Sequence, residues 1–255
     1  MSRARGWPFV RGEWHEVEVD STNDWARRLI EADELGPLPA LVWADRQTRG
    51  RGQGANAWWS DGGSLTASVV IDPEAFNLAV AVRPRVALGV AVAAVEAIAA
   101  VVPGCHASIR WPNDVEVGGR KLGGILVEGV ASPLGPRLVV GVGLNVASRI
   151  AAAPGEVRGM AASLAEFGAG VEDRTPLLAA VLGRLDPILR ALATGDPALA
   201  DTWNRLDALR DMAIRVQAGD DRFAAVAEGI DPTGGLRIRR DGRAEVLHAG
   251  RILRD

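Results

Sequence analysis

Cysteine and lysine are almost missing from this chain: its 255 residues include one of each, Cys105 and Lys121. A lone cysteine excludes an internal disulfide, and Cys105 has no CxxC or Cys/His spacing around it for a metal, which suits a reducing cytoplasm. It reads as a small buried hydrophobe. A basic excess is missing too. Lys and Arg number 29 against 32 acidic residues, a net charge of −3, which leaves no electrostatic footprint for nucleic acid. The first sixteen residues, MSRARGWPFVRGEWHE, contain no apolar h-region and no small-residue cleavage site, so they are not a secretory signal. The most apolar stretch, Val86 to Val102, is Ala-rich, interrupted by Glu96 and stopped by Pro103, and is expected to be a core helix rather than a membrane span. The expectation is a cytoplasmic protein with no nucleic-acid or membrane partner.

What is present is a composition of 48% hydrophobic and 24% charged residues, enough to bury one large domain with or without a small appendage. Ser21-Thr22-Asn23-Asp24 offers N-cap residues for a helix through Trp25 to Ala32, closed by Gly36-Pro37. Strands are expected at Ala40 to Ala44, Leu65 to Ile71, Ala107 to Arg110, Gly123 to Glu128 and Arg137 to Val142. Helices are expected at Thr175 to Ala193 and Ala198 to Leu206. From Met212 onward short alternating runs are separated by Gly219-Asp220, Pro232-Thr233-Gly234 and Asp241-Gly242, the turn chemistry of hairpins. The reading is an α/β domain over residues 16–208, preceded by an extension at 1–15 and followed by a small β-barrel at 209–255.

Three segments of the large domain carry polar residues that a fold alone does not need. Gln47-Thr48-Arg49-Gly50-Arg51-Gly52-Gln53-Gly54 is a loop whose glycines let backbone amides approach an anion, although it has neither the Gly-Lys-Ser/Thr ending of a P-loop nor dinucleotide glycine spacing. A solvated Arg/Gly loop would read the same way. Arg110-Trp111-Pro112-Asn113-Asp114 is followed by Gly118-Gly119-Arg120-Lys121-Leu122-Gly123-Gly124. The glycine pair makes a tight return, which places Asp114 and Lys121 near the two ends of a hairpin. An ammonium and a carboxylate so placed suit a reaction that builds and moves negative charge, and a surface ion pair is the plainer alternative. A chain that otherwise writes its positive charge as arginine keeps a compact, three-donor cation here. Gly141-Val142-Gly143-Leu144-Asn145 sets a lone amide at a strand end beside two glycines.

Taken together and in this order, the segments resemble the biotin–protein ligase family. The family's Ser-Thr-Asn before a helix is similar to Ser21-Thr22-Asn23, and its Gln with a Gly-Arg-Gly loop ending in Trp is similar to Gln47, Gly50-Arg51-Gly52 and Trp58. Its Lys/Arg-Trp-Pro-Asn-Asp followed by Lys-x-x-Gly-Ile-Leu-x-Glu resembles Arg110 to Asp114 and Lys121 to Glu128, and its Gly-x-Gly-x-Asn resembles Gly141 to Asn145. The resemblance runs from about Glu16 to the C-terminus. It implies a mixed-sheet catalytic domain of the biotin/lipoate ligase type with a small SH3-like barrel, ATP-dependent formation of biotinyl-5'-AMP, and transfer of biotin to a lysine of a biotin carboxyl carrier domain. It also implies biotin contacts at Ser21, Thr22, Asn23, Gln47, Gly50, Arg51, Gly52, Gln53, Lys121, Gly124 and Gly143. ATP contacts are implied at Arg51, Trp58, Asn113, Lys121 and Asn145, with magnesium or the incoming amine at Asp114. Lys121, Asp114 and Arg51 are the implied catalytic residues.

Two departures stand out. The family's loop has a second arginine directly after Gly-Arg-Gly, where this chain has Gln53, and its further basic positions are Asn56 and Ala57 here. That loss bears on retention of the adenylate. Larger members carry an N-terminal helix-turn-helix domain, which the twenty residues before Ser21 are too few to form. A lipoate or octanoate ligase or transferase and a non-catalytic biotin-binding module are the rival readings. Oligomeric state, monomer or homodimer, stays open.

Overall fold

The structure, a computed structural model, describes residues 6–168 and 172–254. In chain order it contains β1 (Gly12–Val19), α1 (Thr22–Glu31), β2 (Ala40–Gln47), the two-residue strands β3 (Gly50–Arg51) and β4 (Ala57–Trp58), β5 (Ser64–Ile71) and α2 (Val86–Val101). Then come β6 (Ser108–Arg110), β7 (Asp114–Val117), β8 (Arg120–Val130), β9 (Arg137–Asn145), the one-turn α3 (Gly155–Arg158), α4 (Thr175–Thr194) and α5 (Pro197–Arg205). The chain closes with β10 (Ala213–Ala218), β11 (Asp221–Ile230), β12 (Leu236–Arg240), β13 (Arg243–Leu247) and β14 (Arg251–Ile252).

Seven strands form a mixed sheet in the order β1-β2-β5-β9-β8-β7-β6, parallel only between β1 and β2. Alternation along the central strands gives the sheet two unlike faces. On β5, Leu65, Ala67, Val69 and Ile71 enter the main core with Leu138, Val140, Val142 and Leu144 of β9, and α2 covers that face with α4 packed against α2. The opposite face carries Ser64, Thr66 and Ser68 of β5 and, in register with them, Asn145, Gly143 and Gly141 of β9. α1 covers only part of it, packing Ala26, Leu29 and Ile30 on Ala40, Val42, Val70 and Val139. The polar, glycine-lined remainder lies beside the segment 48–63.

Helix α1 begins three residues earlier than expected. Ser21 takes the extended N-cap conformation and its Oγ accepts from Asp24 N at 3.5 Å, so Thr22 and Asn23 become first-turn residues. α2 lies in the core as expected, apolar on all sides because sheet, α4 and α5 surround it. Two strands of the seven-stranded sheet escape the sequence patterns. β1 starts at Gly12, inside the segment expected as an extension, and passes through the expected boundary at residue 16. It was hidden because its inward side chains include Glu13, buried where the Trp43 indole donates to its Oε1 at 3.1 Å. β7 was hidden by its length of four residues.

The C-terminal alternation yields a five-stranded antiparallel sheet in the order β13-β12-β11-β10-β14. Its inward residues, among them Ile214, Val216, Ala227, Leu236 and Ile238, are continuous with the main core. It is tied to the β6–β7 edge at several points. The Trp111 indole donates to Gly234 O at 3.2 Å, Arg110 donates to Leu253 O at 3.1 Å, and Arg254 donates to Gly119 O at 3.0 Å.

Candidate active site

The β7–β8 hairpin turns at Gly118 and Gly119, both at positive φ (56° and 75°), the backbone that a two-residue turn requires and that side chains disfavour. This return sets Asp114 opposite Gly124 and brings Lys121 Nζ to 2.6 Å from Asp114 Oδ1. A Cβ on Gly124 would sit 3.5 Å from Asp114 Oδ1 and 3.6 Å from Lys121 Nζ, so the bare backbone there is the floor beneath the pair. The main chain of Lys121 is fixed on both sides, its N–H donating to Met160 O at 2.7 Å and its carbonyl accepting from Ala162 N at 2.9 Å. Lys121 and Asp114 are thus brought together as the glycine spacing anticipates.

The α1 end of the polar face forms a second cluster. Thr22 N and Oγ1 donate to Gln47 Oε1 at 2.7 and 3.0 Å, and Ser68 Oγ lies 2.8 Å from Thr22 Oγ1 and 2.7 Å from Asn23 Oδ1. Asn23 Nδ2 donates to Glu128 Oε2 at 2.8 Å. Ser21, Thr22, Asn23 and Ser68 are all buried. A small neutral ligand with alternating donors and acceptors meets here a prearranged set of hydroxyls and amides, the arrangement that discriminates polar groups best. Gly141 is required, since a Cβ would stand 2.4 Å from Asn23 Oδ1.

Arg51 belongs to this cluster through its side chain. Its guanidinium donates to Asp24 Oδ1 at 2.6 Å and, as a fork, to Glu128 Oε1 and Oε2 at 2.8 and 3.2 Å. The bond to Asp24 chiefly, with the charge of Glu128, raises its pKa above the ordinary arginine value. The cation is therefore committed to two carboxylates. Arg46 and Arg49 are likewise paired, with Glu18 at 2.9 Å and Asp20 at 3.6 Å. Gln53 is exposed; its carbonyl accepts from Asn56 N at 3.3 Å and Nδ2 at 2.8 Å, and Gly52 N donates to Asn56 O at 2.8 Å. Gly50 passes so close to Trp58 that a Cβ would meet its carbonyl oxygen at 2.5 Å.

Between the two clusters stands Trp58. Its indole covers Gly143, where an added Cβ would lie 2.9 Å from the ring, and Lys121 Nζ is 6.0 Å from a Trp58 ring centroid. Trp58 Nε1 and Asn145 Oδ1 are both buried without a hydrogen-bond partner among the described residues. Asn145 Nδ2 donates to Ala162 O at 3.0 Å. Asn113 is pinned to β8 at both ends, its Nδ2 donating to Ile125 O at 2.7 Å and its carbonyl accepting from Ile125 N at 2.9 Å, so its amide braces the hairpin.

Sequence reasoning assigned no role to four polar residues of this site. Glu128 ties Arg51 and Asn23 together, Asp24 is the other Arg51 partner, Ser68 joins Thr22 to Asn23, and Arg254 reaches from the C-terminus to Asp114 Oδ2 at 3.4 Å and Glu116 Oε2 at 3.3 Å. Ser68 was accessible in principle, since Ser64, Thr66 and Ser68 alternate with apolar neighbours. Arg254 carried no such signal. Outside these clusters, between α5 and the C-terminal sheet, one carboxyl is strongly displaced: Asp207 is pushed up to about 6 by burial. Beside the start of α1 the Arg28 hydrogen bond pulls Asp20 down to about 2. Among the described residues no three His, Cys, Asp or Glu side chains cluster to hold a metal.

Comparison with known proteins agrees with this architecture. The family model of the Biotin/lipoate A/B protein ligase family matches residues 17–145. The biotin–[acetyl-CoA-carboxylase] ligase of Mycobacterium tuberculosis is 31% identical, the alignment covering 94% of this chain and 89% of that protein. Its counterpart from Paracoccus denitrificans is 31% identical over 92% of this chain and 98% of its own length. The solved structure of the Aquifex aeolicus biotin protein ligase in complex with biotin and ATP superimposes with a TM-score of 0.80 at 26% identity, covering 95% of this chain and 97% of that one. With the fold, the ordered motifs and two relatives matched over nearly their full length in agreement, this chain belongs to the biotin/lipoate A/B protein ligase family.

Proposed function

We propose that the protein is a biotin–protein ligase, which activates biotin with ATP to biotinyl-5'-AMP and transfers the biotinyl group to a lysine of a biotin carboxyl carrier domain. The observation that carries this reading is the Lys121–Asp114 contact at the rim of a polar, glycine-lined sheet face. Biotin's ureido ring suits the Thr22, Gln47, Asn23 and Ser68 cluster, whose hydroxyls and amides can exchange partners with it. Its valerate chain then runs toward Gly143 and Lys121, and the nucleotide occupies the Trp58 and Asn145 side, where two buried polar atoms still lack partners.

In the first half-reaction a biotin carboxylate oxygen attacks the α-phosphorus and the bond to pyrophosphate breaks. Two anions meet and charge accumulates on the phosphoryl oxygens. Lys121, a mobile point charge with three donors, stabilises that charge where both anions converge. In the second, the carrier amine attacks the acyl carbon, AMP leaves, and the amine's proton passes to Asp114, freed from Lys121 once that ammonium has turned to the phosphate. Magnesium fits the site modestly. Asp114, the one carboxylate at this place, would hold the ion, which would supply charge neutralisation at the phosphates.

Pyrophosphate release that requires biotin and ATP, followed by label transfer from radioactive biotin to a carrier domain on a denaturing gel, tests the whole reading. Octanoate or lipoate replacing biotin would make the protein a lipoyl-type enzyme instead. Biotin binding with no pyrophosphate release would make it a binding module.

A further inference from the structure

β2 and β5 run paired from Ala40–Val70 to Ala44–Thr66 and then part: β2 continues beside β1 to Gln47, while β5 starts at Ser64 beside Asn145 of β9. The segment 48–63, which carries Gly50, Arg51 and Trp58, leaves from one side of this split and returns on the other. Within the split on the loop side, Ser60 Oγ accepts from Gln47 N at 3.1 Å and donates to Gln47 O at 3.2 Å. From the α4 side Arg174, at the N-terminus of α4, enters it. Its NH1 donates to Asp45 O at 3.0 Å and Ser64 O at 2.8 Å, one carbonyl on each strand, and its NH2 donates to Asp45 Oδ1 at 2.8 Å. The side chain is largely buried, and the same Asp45 oxygen lies 3.4 Å from His15 Nε2.

We infer that Arg174 is a positioning residue for biotin: it sets the spacing of the two stems from which the binding loop springs, and thereby the place of Gln47 against Thr22. Three features select this role. The two carbonyls lie beyond the last β2–β5 register pair, so the guanidinium stands in for the missing ladder. A planar fork can reach both carbonyls and the carboxylate together, which an ammonium does less well. Gln47, whose Oε1 takes both Thr22 bonds, is two residues from Asp45, so movement of the stem is passed directly to the amide.

The inference rests on biotin occupying the Thr22–Gln47 cluster. Equilibrium dialysis with biotin alone and steady-state pyrophosphate release, on the full chain, test it with Arg174→Gln and Arg174→Lys beside wild type. Arg174→Gln should raise the biotin Kd about tenfold, which is ~1.4 kcal/mol, while kcat at saturating biotin and ATP stays within about twofold. Arg174→Lys should fall between, and if the Gln variant does not fold it decides the case alone. An unchanged Kd in a folded variant, or a kcat that falls as far as binding weakens, would overturn the assignment. Wild-type protein that binds no biotin would instead refute the reading of the site.

Discussion

Replacing Lys121 by arginine separates its chemical role from its structural one. Nζ stands 2.6 Å from Asp114 Oδ1 in a pair whose side chains are 35% and 21% exposed, so water screens it, and as an ion pair it contributes at most about 1 kcal/mol to stability. A guanidinium can keep that pairing as a fork. For a chain of this size ~1 kcal/mol corresponds to a Tm change of about 2–4 °C. Catalysis responds differently. Loss of one well-placed donor to developing charge costs on the order of 100-fold or more in kcat, about 2.7–4 kcal/mol, and the wider, planar group lacks the ammonium's freedom to turn from Asp114 to an α-phosphate. Lys121→Arg should therefore lower biotin-dependent pyrophosphate release by at least ~100-fold while its melting temperature stays within a few degrees of wild type. Turnover within a factor of a few of wild type, at unchanged Tm, would show that Lys121 is a surface ion pair and not the residue that bridges the anions.

Because Arg46, Arg49 and Arg51 are each engaged with carboxylates, Gln53→Arg supplies a cation the loop otherwise lacks; it should slow biotinyl-AMP release by on the order of 1–3 kcal/mol, and filter-binding release rates identical to wild type would show that backbone amides already retain the adenylate. Gly143→Ala places a methyl 2.9 Å from the Trp58 indole, and overpacking of that kind costs about 1–3 kcal/mol; the ATP KM should rise roughly tenfold or more, biotin binding should weaken as well because the valerate chain runs toward Gly143, and an unchanged ATP KM would remove Trp58 from the nucleotide wall. The Asp207 carboxyl, pushed up to about 6 from 3.8, binds its proton more tightly in the folded state, so its contribution to stability is fully present below pH 3.8 and is lost as pH rises through about 6. Asp207→Asn, which keeps an oxygen for the Leu209 N–H bond, should accordingly raise denaturant stability at pH 7.5 by on the order of 1–3 kcal/mol and by much less near pH 4, and a gain independent of pH would contradict the assignment.

Local chemistry in the chain is sufficient for much of this molecule. Two adjacent glycines between Asp114 and Lys121 make the hairpin that joins them, Ser21 caps α1 through a side-chain oxygen, and alternation from Ser64 to Val69 sets the serines and Thr66 of β5 on one face and its apolar residues on the other. These features depend on residues within about one turn of each other, so spacing reveals them. The polar site itself does not. Thr22 meets Gln47 across 25 residues and Asn23 meets Glu128 across 105, meetings that depend on the strand order setting β2, β5, β9 and β8 side by side, while Arg254 meets Asp114 across 140 because the C-terminal sheet docks at the β6–β7 edge. β1 was unreadable for a related reason, since its buried Glu13 looks like a surface residue until the Trp43 indole is opposite it. The commitment of Arg51 to Asp24 and Glu128 also belongs to the tertiary structure alone. In the sequence Arg51 is a loop cation facing any anion, and only the fold brings two carboxylates within hydrogen-bonding reach of it, because a charge pairs with whatever the packed sheet places beside it.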